Sequence, residues 1–151
     1  MAWTIYFDGS CSKPGGSAAY GFILYHNEEE VSSGHSIIGD GPGMTNNLAE
    51  HRALTEGLKS FIQYKNPYTK KLYIYGDSML VVNQINGKWG SRGNKPYKKQ
   101  YKENLQLITQ IKQMGVKIYC EWIPREKNQK CDDLSKKHLT TTLKCDTIFI
   151  I

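Results

Sequence analysis

Trp3-Thr4-Ile5-Tyr6-Phe7-Asp8-Gly9 sets Trp3, Ile5 and Phe7 in alternation with Thr4 and Tyr6, then stops on an Asp-Gly turn signal. Period-two patterning of this kind predicts a half-buried strand that ends at Asp8. Working outward, Ala19 to Tyr25 and Val31 to Ile38 read as two further strands separated by the turn-like Asn27 to Glu30. They are expected to pair antiparallel and so complete a three-strand meander. The Gly-rich segment GDGPGM then leads into a helix from about Asn47 to Tyr64. Lys71 to Gly76 reads as a fourth strand and Ser78 to Asn86 as a short helix. A basic helical stretch runs from beyond Gly93 to about Met114, a strand from Val116 to Ile123, and a last helix from about Cys131 to Leu139. The order βββαβαβα predicts an α/β fold around a mixed five-stranded sheet, three strands antiparallel and then two parallel, flanked by helices.

Four acids stand at the boundaries of these elements: Asp8 in FDGSC, Glu50 in MTNNLAEHRAL, Asp77 in YGDSM and Asp132 in NQKCDDLSKK. Taken singly, Asp8 serves a turn, Asp77 caps a helix and Asp132 offsets a helix dipole, all common uses of Asp. Glu50 is more specific. Leu54, Leu58, Phe61 and Ile62 define the apolar stripe of its helix, and counting back four residues from Leu54 lands on Glu50. An inward carboxylate near a helix start calls for a cation or a dense set of hydrogen bonds. In α/β sheets, ligands bind beyond the carboxyl ends of the strands, where Asp8 and Asp77 would lie side by side. Clustered carboxylates repel one another, and the natural occupant of such a cluster is one or two hard divalent cations such as Mg²⁺. The expected chemistry is metal-assisted reaction at phosphate.

Composition agrees. The chain has 151 residues, 39% hydrophobic and 23% charged, which suits one core and one domain over residues 1–151, with 140–151 as an extension ending in the apolar TIFII. No apolar run approaches the roughly 20 residues that span a bilayer, and the first residues lack a signal-peptide pattern, so the expected location is the cytoplasm with no membrane partner. Cys11, Cys120, Cys131 and Cys145 lack zinc-site spacing and disulfide density, and are expected to be free thiols. A net charge of +6 and a pI near 9.1 suit a polyanionic partner. Lys88, Arg92, Lys95, Lys98, Lys99 and Lys102, interleaved with Trp89, Tyr97 and Tyr101, form a candidate phosphate-tracking surface or a solvated basic helix with an aromatic underside.

DGSC at Asp8 to Cys11 with the following KPGGSAAYG, TNNLAE at Thr45 to Glu50, GDS at Gly76 to Ser78, and NQKCDDL at Asn128 to Leu134 match, in order, the motifs of the type 1 ribonuclease H family. The chain resembles that family from Trp3 to about His138. The resemblance implies a ribonuclease H-like fold and a metal-dependent endonuclease that cuts the RNA strand of RNA:DNA hybrids with two Mg²⁺ or Mn²⁺ ions. It implies Asp8, Glu50, Asp77 and Asp132 as catalytic metal ligands, with Asp132 preferred to Asp133 because it follows Cys131 in the slot of the family's last acid. It also implies 5′-phosphate and 3′-hydroxyl products. Gly9, Ser10, Cys11, Ser12, Thr45, Asn46, Asn47 and Ser78 would contact the substrate, which in the minor groove presents the 2′-hydroxyls that DNA lacks. Two metals about 4 Å apart suffice for this chemistry without a protein nucleophile.

Two departures from the family pattern stand out. Many relatives carry a histidine in a mobile loop before the last acid, whereas Trp122 to Asn128 (WIPREKN) is compact and has none, leaving Arg125, Glu126 or Lys127 as candidates to assist proton transfer or product release. Met79 stands where relatives often have a polar residue. A monomer is expected. The alternatives are a hybrid- or duplex-binding module of the same fold without turnover, and a DNA-acting nuclease of the wider superfamily.

Overall fold

The structure, a computed structural model, describes residues 2–137. Strands β1 (Trp3–Cys11), β2 (Ser17–His26), β3 (Glu29–Asp40), β4 (Lys71–Gly76) and β5 (Lys117–Trp122) form one sheet in the order β3-β2-β1-β4-β5. The first three are antiparallel neighbours, while β4 runs parallel to β1 and β5 parallel to β4. Helix α1 (Asn46–Tyr64) follows the meander, and the β4 to β5 crossover holds both α2 (Met79–Ile85) and α3 (Lys98–Gln113). A last helix, α4, covers 129–137. The expected mixed sheet is present with its expected pairing. His138, Cys145 and the apolar tail lie outside the described residues.

The alternation in β1 does what its period requires. Trp3, Ile5 and Phe7 are buried on one face of the sheet, under Ala53, Leu54, Leu58 and Phe61 of α1. The opposite face carries tyrosines in contact, Tyr6 with Tyr25 and Tyr75, and Tyr73 with Tyr75 and Tyr119. The β2–β3 hairpin turns on Asn27 and Glu28, whose positive φ of 52° and 70° matches the twist a two-residue hairpin loop needs. Among the described residues, no helix is long and apolar enough to cross a membrane.

The boundaries of β1 and β4 make the crevice. Strand β1 does not stop at Asp8; it stays paired with β2 as far as Cys11, opposite Ala18. Its parallel pairing with β4 ends earlier, at Phe7 opposite Gly76. Asp8 and Asp77 are therefore the residues immediately beyond the last β1–β4 pair, where the two strands part. A gap opens at the carboxyl ends of adjacent parallel strands, the place where α/β sheets bind ligands.

Candidate active site

Three elements deliver carboxylates into this gap. Asp8 comes from the part of β1 that has lost its parallel neighbour, Asp77 from the end of β4, and Glu50 from the first turns of α1. One oxygen atom from each lies within 4.8 Å of the others. Glu50 is only 8% exposed, as its place on the apolar stripe requires. Thr45 caps α1, its Oγ1 accepting from Leu48 N at 3.1 Å, and Asn46 Oδ1 accepts from Cys11 N at 2.9 Å. The helix start is thereby pinned to the end of β1. Gly9 makes the close approach possible, since a Cβ there would lie 2.2 Å from the backbone of both Ala49 and Glu50.

Asp132 stands beside this group rather than within it. Its carboxylate accepts from Arg125 Nη2 at 3.3 Å and Lys136 Nζ at 3.2 Å. Asp133, one residue on, is exposed and accepts from Gln129 instead. The Ser135 hydroxyl lies 3.2 Å from Asp8 Oδ2, 2.9 Å from the Asp132 carbonyl and 2.6 Å from Ser10 Oγ. Helix α4 reaches the sheet because β2 presents Gly21 to it, where a Cβ would meet Ser135 N at 2.8 Å. The loop before α4 is fastened on three sides. Ile123 N donates to Gly76 O at 2.9 Å, Trp122 Nε1 to Asp77 O at 3.1 Å, and Asn128 Nδ2 to Phe7 O at 2.9 Å.

The charges inside this site are out of balance. Burial, and then the charge of Asp77, pushes the Asp8 carboxyl up to about 8, helped by its hydrogen bond with Asp132. Burial and the charges of Asp8 and Asp77 raise Glu50 well above its ordinary range. Asp77 is also raised, chiefly by burial. Asp132 moves the other way: burial pushes it upward, but hydrogen bonds with Asp8 and Lys136 and the charges of Lys136 and Arg125 outweigh that. Glu50 Oε2 is buried without a hydrogen-bond partner among the described residues. An orphaned carboxylate oxygen facing two other carboxylates fits a hard, oxygen-seeking divalent cation.

Around the acids lies a cleft of about 490 Å³ lined by Gly9, Ser10, Cys11, Asn46, Asn47 and Ser78, together with Trp122, Arg125 and Lys136. Ser12 and Thr45 fall outside this lining. Ser12 Oγ accepts from Ser17 N at 3.0 Å and closes the β1–β2 turn, and Thr45 serves as the α1 cap. Ser78 lines the cleft and also caps α2 through Val81 N. Ser135, Lys136 and Trp122 are site residues that the sequence reading did not name; the i+3 and i+4 spacing of Ser135 and Lys136 from Asp132 is the signal that points to the first two. No histidine lines the cleft among the described residues. His51, although it follows Glu50 directly, is fully buried, its Nε2 2.7 Å from Gln84 Oε1, and burial pushes it down to about 4.

A family model described as reverse transcriptase-like matches residues 6–138. A ribonuclease H of Caldicellulosiruptor saccharolyticus is 33% identical over 153 residues, spanning 95% of this chain and 90% of that protein. The chain belongs to the type 1 ribonuclease H family. An uncharacterized protein of Bacillus subtilis, YpeP, is 30% identical over 91% of this chain, which spans 58% of that longer protein. Among solved structures, LC11-RNase H1 in complex with an RNA/DNA hybrid superposes with a TM-score of 0.76 at 26% identity, over 93% of this chain and 99% of that one. Fold and family membership thus agree with the ribonuclease H motifs read along the chain.

Proposed function

We propose that this ribonuclease H hydrolyses the RNA strand of RNA:DNA hybrids internally, leaving 5′-phosphate and 3′-hydroxyl ends, with two Mg²⁺ or Mn²⁺ ions at the acidic cluster. The observation that carries the reading is the approach of Asp8, Glu50 and Asp77 to within 4.8 Å of one another from three separate elements. A buried cluster of like charges is unfavourable in isolation, and is best explained by the cation it attracts. Asp8, Glu50 and Asp77 would hold the ions, with Asp132 available beside Asp8. When bound, such ions ready a water for in-line attack and stabilise the departing oxygen.

The remaining work falls to residues of the chain. Arg125 and Lys136 offset Asp132 and bring positive charge to the rim of the cleft, where a phosphate would enter. The Cys11 N–H is already committed to Asn46 Oδ1, which leaves the Asn46 amide nitrogen and the Asn47 side chain to donate in the cleft. Backbone groups of Gly9 and Ser10, with the Ser78 hydroxyl, complete a wall suited to 2′-hydroxyls, the groups that distinguish RNA from DNA. The LC11-RNase H1 complex, which holds a hybrid on the same fold, supports this assignment. The test is cleavage of end-labelled hybrid, duplex DNA and duplex RNA of one sequence, with Mg²⁺ and with Mn²⁺. Cutting confined to the RNA strand of the hybrid is expected; cutting of duplex DNA, or of nothing, would refute the reading.

A further inference from the structure

Residues 88–97 join α2 to α3 and carry Lys88, Trp89, Arg92 and Lys95 without belonging to a helix or a strand. Trp89 is 48% exposed, and the basic side chains surround it in sequence. Lys88 N and Trp89 N fasten the start of this loop to Asn83 O at 2.9 and 3.2 Å, and a buried amide beneath it joins Gly90 to Tyr97. Gln84 of α2 is 1% exposed, and its Nε2 donates to Gly90 O at 3.1 Å and to Tyr97 Oη at 3.2 Å. Both its hydrogens are thereby spent on the two ends of the loop. Its Oε1 faces His51 Nε2 at 2.7 Å, and the Tyr97 ring stacks on the His51 ring at 5.2 Å. On its other side His51 meets Asn104 of α3, with Nδ1 3.2 Å from Asn104 Nδ2. One chain of buried polar contacts therefore runs from the helix that carries Glu50, through Gln84, to the backbone under Trp89.

We propose that Gln84 is a positioning residue for hybrid binding, fixing Gly90 and Tyr97 so that Lys88, Trp89 and Arg92 form a preformed duplex-contacting surface at a set height from Glu50. The proposal rests on the hybrid reading above and extends it to a residue that touches neither metal nor substrate. Reach is adequate. Helix α2 begins two residues after Asp77 and has seven residues, about 10 Å, so the loop starts well within one turn of a duplex, about 34 Å, of the acidic cluster. Preformed order matters because every loop residue ordered only on binding subtracts from affinity. A local core role alone would let the amide be replaced by an apolar group of equal size with a loss of stability and nothing else.

The test uses the whole 151-residue chain and a labelled RNA:DNA hybrid in EDTA, so that binding is read without cleavage. Gln84→Met should weaken binding about tenfold and flatten its salt dependence as ordered phosphate contacts are lost. Trypsin should then cut the folded variant faster at Lys88 and Arg92. Tyr97→Phe, which removes only the hydroxyl, keeps the question open to measurement if Gln84→Met folds poorly, and should weaken binding about threefold. Thr55→Val is the control: Thr55 bonds His51 O, Asn104 and Gln100 but neither Gln84 nor residues 88–97, so it should lower stability and leave affinity and salt slope unchanged. Equal affinities and salt slopes for wild type, Gln84→Met and Tyr97→Phe, or a wild type that binds no hybrid, would overturn the proposal. Cleavage in Mg²⁺ is scored separately, so a wild type that binds without cutting would refute the catalytic reading and leave this one standing.

Discussion

Gly9 lies against the peptide of Glu50 so closely that a Cβ on Gly9 would sit 2.2 Å from Glu50 N. Backbone cannot swing aside as a side-chain tip can, so Gly9→Ala must lift the start of α1 off β1. Overpacking of this sort costs about 1 to 3 kcal/mol. The functional loss should be larger than the stability loss implies, because Glu50 moves with the helix, and a misplacement of about 1 Å can lower a rate about a hundredfold. Denaturant midpoints and single-turnover cleavage at a temperature where the variant remains folded measure the two effects. A variant with normal turnover would show that the close approach does not set the site.

Asp8→Asn should abolish cleavage and yet stabilise the metal-free protein. With its folded value raised from 3.8 to about 8, Asp8 contributes stability that is present below about pH 4 and lost as pH rises through about 8. An amide removes that penalty, on the order of 2 kcal/mol at neutral pH after allowance for its coupling to Glu50 and Asp77. Wild type should gain thermal stability from added Mn²⁺, and Asp8→Asn should gain much less. Thermal melts with and without the ion decide this. A metal-free variant less stable than wild type would count against the repulsion argument.

Proton release should accompany ion binding. Below about pH 8 the metal-free Asp8 carboxyl is largely protonated, and Glu50 shares the upward shift, so a cation must displace a proton. Apparent Mn²⁺ affinity should therefore climb with pH through the range where Asp8 is protonated, by about tenfold per unit for each proton displaced. Calorimetry in buffers of different ionisation enthalpy counts the protons directly. Binding that is flat in pH with no proton released would contradict the prediction.

Asp132 should respond to its two cations. Its folded value is depressed, so the stability it contributes is present above its unfolded value near 3.8 and is lost as pH falls through the lower folded value. Lys136→Met removes one partner at 3.2 Å and should move the Asp132 titration upward, as should Arg125→Met. Carboxyl-resolved NMR titration reports the shift. An unchanged midpoint in both variants would mean that the hydrogen bond with Asp8 alone holds Asp132 down.

Much of this was legible in the chain because local pattern and global packing agree. The Trp3, Ile5, Phe7 alternation and the Leu54, Leu58, Phe61 stripe each describe one buried face, and the face they share is the core. Glu50 could be placed from its spacing alone. The end of β1 could not, since Asp8-Gly9-Ser10 carries turn propensity, while long-range pairing of Asp8 with Gly21 and Ser10 with Ala19 keeps it extended. Helix α3 starts at Lys98, after Pro96, which biases Lys95 away from helix and leaves the upstream basic residues in a loop. The His51, Gln84 and Asn104 contacts join residues 33 and 53 positions apart, and nothing local announces them. Helix α4 begins at 129, two residues ahead of its expected start, as Asn128 is tied to Phe7 O.

The most direct measurement is anomalous diffraction at the manganese edge from crystals of the wild-type protein grown metal-free with a hybrid, then soaked briefly in Mn²⁺ and frozen before turnover is complete. Two peaks are predicted beside the scissile phosphate, with oxygens of Asp8, Glu50 and Asp77 at about 2.1 Å, the distance typical of small hard divalent ions. A hybrid seated in the cleft with no peak at those oxygens would contradict the account at its centre.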